Sequence, residues 1–106
     1  MEYRKFGITG LEVSALGFGC MRFPILDGDS ARIDEPLATA MLRKAIDQGL
    51  NYVDTAWPYH MEQSEPLVGR ILQDGYREKV FLATKMPSWL VKSPEDLERL
   101  FTAQLE

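Results

Sequence analysis

The sequence predicts an α/β fold, an N-terminal β-hairpin followed by three βα units. Three observations carry this. Three segments have helical periodicity with start and stop residues, each follows a short apolar run, and two strand-like runs at the N-terminus flank a glycine-bearing turn. Successive βα units with right-handed crossovers build a parallel sheet covered by helices, either open and doubly wound or closed as a barrel. The 106 residues, 45% hydrophobic and 26% charged, suit one domain and are too few for two. Disorder, collagen and coiled coil are excluded for the chain as a whole.

Tyr3 to Phe6 and Leu11 to Ser14 read as strands around Gly7-Ile8-Thr9-Gly10, which has the glycine chemistry of a hairpin turn. Ala15 to Cys20 reads as the first parallel strand, and Pro24 to Asp34, with Asp27-Gly28-Asp29-Ser30, as a long polar loop of the kind found at functional sites. A helix follows over about residues 35 to 48, with Asp34 as cap, Pro36 in its first turn and Gly49 at its end. Its expected apolar face is Leu37, Met41, Leu42, Ala45 and Ile46. Asn51 to Thr55 is the second parallel strand. The second helix takes Ser64 as cap, Glu65 and Pro66 in its first turn, Leu67, Val68, Ile71 and Leu72 as its stripe, and Gly75 as terminator. Val80 to Lys85 is the third strand. In the third helix Ser93 caps, Pro94 follows, Asp96 stands three residues after the cap, and Leu97, Leu100, Phe101 and Leu105 form the expected buried face.

Twelve Lys and Arg against sixteen Asp and Glu leave a net charge of -4, which argues against nucleic acid or an anionic membrane as partner. Cys20 is the only cysteine, so no internal disulfide forms, and no cysteine cluster exists here for a structural zinc or an iron–sulfur centre. No apolar run reaches the roughly 20 residues of a membrane span, and Met1 to Lys5 leads into no signal-peptide core. The expectation is a cytoplasmic protein.

Active sites of parallel α/β folds gather at the carboxyl ends of the strands. There the second strand ends in Asp54-Thr55 and the third in Lys85-Met86, one βα unit apart on neighbouring strands about 4.8 Å from each other. Strand alternation puts Phe81, Ala83 and Lys85 on one face, and Tyr52 and Asp54 on one face. A lysine at the end of an apolar strand needs a partner to stay charged, and Asp54 is the candidate. These two alone fit a structural ion pair equally well. Tyr59 shifts the balance, since it follows Asp54 by five residues on the loop above the strand ends. A phenol is a weak acid near neutrality unless a cation stabilises its phenolate, and Lys85 is suited to that task.

Other candidates weigh less. Gly17-Phe18-Gly19 lacks the third glycine of a dinucleotide fingerprint and suits a strand end where a ligand approaches closely. His60, the sole histidine, has no second ligand patterned around it, so no metal site is expected, and it reads as a loop side chain or a wall of a substrate pocket. Cys20 reads as a small buried residue. Trp57 and Trp89 follow the second and third strands and can line a substrate pocket or cap the core.

Taken together, the stretch Tyr3 to Met21 with Gly17-Phe18-Gly19-Cys20-Met21, then Asp54-Thr55-Ala56 with Tyr59, then Ala83-Thr84-Lys85, resembles the aldo-keto reductase superfamily over essentially the whole length. Asp54-Thr55-Ala56-Trp57-Pro58-Tyr59-His60 and Tyr76-Arg77-Glu78-Lys79-Val80 are most similar to its bacterial branch, whose members often carry a ferredoxin-like iron–sulfur extension at the C-terminus. The resemblance implies a (β/α)8 TIM barrel plugged at its base by the hairpin, reducing small aldehydes or ketones with NADPH or NADH. It implies a tetrad in which Tyr59 gives the proton, Lys85 makes that phenol a better acid and Asp54 pairs the lysine. Gly19, Cys20, Met21 and Asp54 match positions near the nicotinamide.

The departures set further expectations. The fourth member of the tetrad, a histidine on the next strand, is not matched by His60, and the family's remaining cofactor-binding residues come from later strands. Any 4Fe-4S cluster would belong to an extension outside these residues. Residues 1–106 are therefore expected to be the incomplete N-terminal part of a barrel domain, three of eight βα units, inactive alone and prone to self-association through an unpaired strand edge at Val80 to Lys85. A regulatory or binding protein that keeps the reductase fold, as channel-associated β subunits do, is the alternative. A self-contained open nucleotide-binding module ranks below both.

Overall fold

The computed structural model describes residues 1–106. Strands β1 (Tyr3–Lys5) and β2 (Glu12–Ser14) form the expected hairpin, with Tyr3 opposite Ser14 and Lys5 opposite Glu12. Strand β3 (Phe18–Gly19) leads into a single 3-10 turn, Cys20–Arg22. The segment expected as a polar loop is instead a second hairpin, β4 (Ile25–Leu26) with β5 (Asp29–Ile33). Asp27 and Gly28 both take positive φ, 53° and 69°, as a two-residue type I′ turn requires.

Helix α1 (Glu35–Asp47) starts where the sequence places it, the Asp34 carboxylate accepting the Leu37 N–H at 3.1 Å. It ends in a Schellman motif, Leu50 N–H to Ala45 O at 3.1 Å and Gly49 N–H to Ile46 O at 2.9 Å. Gly49 holds φ at 100°, and a Cβ there would stand 2.8 Å from the Tyr3 hydroxyl, which donates to the Gly49 carbonyl. Only glycine fits both demands. Strand β6 (Tyr52–Asp54), helix α2 (Ser64–Ile71), strand β7 (Phe81–Ala83) and helix α3 (Pro94–Leu105) complete the chain. Ser64 is not the cap of α2 but its first residue, fully buried; its hydroxyl pairs with Thr55 Oγ1 at 2.8 Å and donates to Cys20 O at 3.3 Å. Ser93 caps α3 by accepting the Asp96 N–H at 3.2 Å.

The parallel sheet runs β3-β6-β7, each strand added on the same side of the last. That order, without reversal, is how a barrel wall begins; a doubly wound sheet would change direction. Val53, fully buried, points from β6 into a core with Leu42 and Ile46 of α1 and Leu67, Val68 and Ile71 of α2. Tyr52 and Asp54 point the other way, onto a face no helix covers. The N-terminal hairpin sits at the amino end of that face, where Phe6 packs on Tyr52 with ring centroids 6.0 Å apart. Asn51 fastens it, accepting the Ser14 N–H at 2.6 Å and donating to Glu12 O at 3.0 Å.

Two expected faces are corrected. In α1 the buried residues are Ala38, Leu42 and Ile46, while Leu37 and Met41 stay exposed. In α3 only Leu100 is buried, and Leu97, Phe101 and Leu105 are exposed. Both apolar stripes are wider than the surface the rest of the chain offers them.

Candidate active site

The register brings three strand ends level: Gly19 of β3 pairs with Asp54 of β6, and Asp54 with Ala83 of β7. Lys85 follows Ala83 by two residues and so returns to the face of Asp54. Its ammonium lies 3.0 and 2.8 Å from the two Asp54 carboxylate oxygens, 2.9 Å from the Thr55 carbonyl and 3.3 Å from the Tyr59 hydroxyl. It also stands 5.0 Å from the centre of the Tyr59 ring. Burial draws the ammonium's pKa down, but hydrogen bonds to Asp54 and Tyr59 outweigh it, and Lys85 titrates above the ordinary lysine value.

The direction of these bonds matters. An ammonium has three donors and no acceptor, so the Tyr59 oxygen can only accept from Lys85. The phenolic O–H is thereby left free to donate to something else.

The loop that carries Tyr59 is tightly wound. His60, Met61 and Glu62 take φ of 53°, 53° and 68°, a left-handed run that side-chain-bearing residues rarely adopt. His60 holds it. Expected as a loop side chain or a wall of a substrate pocket, this residue is buried, with Nε2 2.9 Å from the Phe23 nitrogen and Nδ1 2.9 Å from Ser30 O. Phe23 can only donate, so Nε2 accepts and Nδ1 carries the proton to Ser30. The imidazole ties the loop after β6 to the turn after β3 and to β5. Sequence reasoning missed this positioning role, as it missed the Thr55–Ser64 pair; the one available signal was His60's place next to Tyr59.

The remaining candidates divide. The space where a Cβ of Gly19 would stand is open, and Met21 is exposed beside it. The Cys20 side chain is fully buried, and burial first, then the charge of Asp54, pushes its thiol up to about 12. It stays protonated and offers a ligand only its main chain. Trp57 is half-buried and donates to Glu62 at 3.0 Å. It lines a cleft shared with Thr55, Thr84, residues of α2 and the end of α3. Trp89 is exposed on the Ser88–Leu90 turn after β7.

The profile described as "Aldo/keto reductase family" matches residues 15–106. A curated relative, the aldo-keto reductase YhdN of Bacillus subtilis, is 38% identical over 86 residues, 80% of this chain and 25% of its own length. Among solved structures, the thermostable aldo-keto reductase Tm1743 in complex with the inhibitor epalrestat superposes with a TM-score of 0.73 at 31% identity, over 99% of this chain and 38% of that one. An aldo-keto reductase from Klebsiella pneumoniae in complex with NADPH gives 0.60 at 26% identity, over 88% of this chain and 33% of that one. The chain spans about a quarter of the length of the curated relatives it matches.

Proposed function

Because the chain belongs to the aldo/keto reductase family, we propose that Asp54, Tyr59 and Lys85 serve the NADPH- or NADH-dependent reduction of small aldehydes or ketones to alcohols. The observation that carries this reading is the direction of the Lys85–Tyr59 hydrogen bond, which leaves the phenolic proton free for a carbonyl oxygen. Tyr59 donates that proton, Lys85 stabilises the negative charge left on the phenolate oxygen, and Asp54 keeps the ammonium charged and aimed. A nicotinamide, when bound, supplies the hydride that the carbonyl carbon takes up. The residues present fit one end of such a group: open space over Gly19, exposed Met21, and the Cys20 main chain, all level with Asp54. Trp57 and Trp89 remain candidates for substrate contact, whereas buried His60 acts through the loop it anchors. Cys20, single and buried, makes no cluster ligand, so a 4Fe-4S centre would draw on residues outside these 106.

Residues 1–106 alone are expected to turn over no substrate, with the rest of the cofactor site and the fourth tetrad residue supplied from elsewhere. The test is a chimera in which they replace the matching segment of Tm1743. It should oxidise NADPH with a small aromatic aldehyde, and Tyr59→Phe should lower kcat by about 10²-fold or more with KM little changed. A chimera whose rate ignores Tyr59→Phe would remove the acid role, and one that binds NADPH without turnover would favour a binding protein that keeps the fold.

A further inference from the structure

The left-handed turn at residues 60–62 is costly to hold. His60, Met61 and Glu62 all carry a Cβ, and at their φ of 53°, 53° and 68° that atom crowds the following carbonyl oxygen. Two main-chain bonds close the turn, Gln63 N–H to His60 O at 3.0 Å and Ser64 N–H to Tyr59 O at 3.2 Å. Met61 is exposed and adds no packing.

The side chains at its two ends supply the rest, and both grip the same neighbouring segment. At one end His60 Nε2 accepts the Phe23 N–H at 2.9 Å, with the two rings 5.9 Å apart. At the other the Ser64 hydroxyl donates to Cys20 O at 3.3 Å, which leaves Thr55 Oγ1, 2.8 Å away, to donate to Ser64. Both side chains are buried. The loop that carries Tyr59 is thus stitched at two points to the backbone from Cys20 to Phe23, which continues from Gly19, level with Asp54.

That spacing matters for carbonyl chemistry. The carbon and oxygen of a carbonyl are about 1.2 Å apart, so a hydride and a proton delivered to them must arrive from two places in strict register. A misplacement of about 1 Å is enough to slow such a step severely.

We propose that His60 and Ser64 are positioning residues which lock the Tyr59 hydroxyl, beside Lys85, at a set distance from the turn after β3, with the left-handed turn between them as the spacer. This rests on the reading of Tyr59 as the proton donor and adds what places it. Because the stitch grips main-chain groups at Cys20 and Phe23, a movement of that turn is carried to the phenol.

Two measurements test it. In the 106-residue chain, NMR of the His60 imidazole should find a proton on Nδ1 and none on Nε2, and the Lys85 ε-methylene signal should carry the ring shift of a phenol centred 5.0 Å from its nitrogen. His60→Ala and Ser64→Ala should each move that signal at least about halfway to its place in Tyr59→Leu. Leu42→Ala, which opens a cavity among the buried residues of α1, should leave it where it is. Met61→Gly should recover about half of the His60→Ala shift, since glycine takes positive φ freely. In the Tm1743 chimera, His60→Ala should lower kcat about tenfold with the aldehyde KM little changed. A proton on Nε2 overturns the proposal, and so does a Lys85 signal unmoved in folded His60→Ala and Ser64→Ala. Where His60→Ala does not fold, His60→Gln, which keeps an acceptor for the Phe23 N–H, decides: the signal should move less than in Ser64→Ala, and an equal or larger move overturns the proposal. A chimera indifferent to Tyr59→Phe removes the acid reading instead, and the Lys85 signal still decides whether the stitch places Tyr59.

Discussion

Lys85 links the chemistry of this protein to its stability. Its folded-state pKa is raised, so the stability it contributes is fully present below the unfolded lysine value of about 10.4 and is lost as pH rises through the higher folded value. Urea midpoints of the native chain and of Lys85→Met should therefore differ at pH 9 and converge as the ammonium deprotonates in the folded state. A gap that stays constant to pH 12 would mean that the Asp54 pairing does not couple to folding. The pairing was legible in the sequence because parallel neighbours one βα unit apart bring their carboxyl ends level, and Tyr59 because five residues of loop reach that level. His60 was not. Its partners, the Phe23 N–H and Ser30 O, belong to segments whose positions depend on how the second hairpin folds back.

Among the elements, both ends of α1 and the start of α3 were legible, because capping is chemistry between residues a few positions apart, whereas α2 takes Ser64 as its first residue and stops at Ile71, short of the expected terminator Gly75. Gly49 shows how demanding one end is. Gly49→Ala should cost about 1 to 3 kcal/mol in urea denaturation, from the left-handed φ and the crowding of Tyr3 together. A smaller cost in a Tyr3→Phe background would separate the two causes. At the start of α3 the bond from Arg99, then that from the Lys92 N–H, holds the Asp96 carboxyl below its ordinary range. A depressed carboxylate contributes above its unfolded pKa and loses that contribution as pH falls through the folded value. Helical circular dichroism of α3 should thus weaken on acidification below about pH 4, and Asp96→Asn should flatten that part of the curve. The β4–β5 hairpin was the element misread, although Asp27-Gly28 is a strong turn signal. Asp29-Ser30-Ala31-Arg32 lacks the alternating β-branched residues that mark a strand, and here the turn and the His60 tie supply what propensity does not.

Across the whole molecule, burial is uneven. The core joins α1, α2, β6 and the turn after β3, and α3 adds little to it beyond Leu100. Native-state hydrogen exchange should find the slowest amides in α1, α2 and β6, with α3 opening by local events of lower free energy. Equal protection in α3 at low protein concentration would contradict the packing described. The parallel pairing of the sheet was legible from repeated βα grammar, whereas its one-way strand order was not. The exposed flanks of α1 and α3 were not, because periodicity reports how wide an apolar stripe is and says nothing of how much surface exists to cover it. No helix is long and apolar enough to cross a membrane.

In β6, Val53 faces the helices while its neighbours Tyr52 and Asp54 face the uncovered side. Alternate positions along the strand therefore answer to different selective pressures. Changes at Val53 are judged by folding, while changes on the uncovered face can be sampled without disturbing the hydrophobic interior. For directed evolution, a library at Ala83, level with Asp54, would search new specificities around a fixed Asp54–Lys85 pair, with Tyr52 kept because Phe6 of the hairpin packs on it.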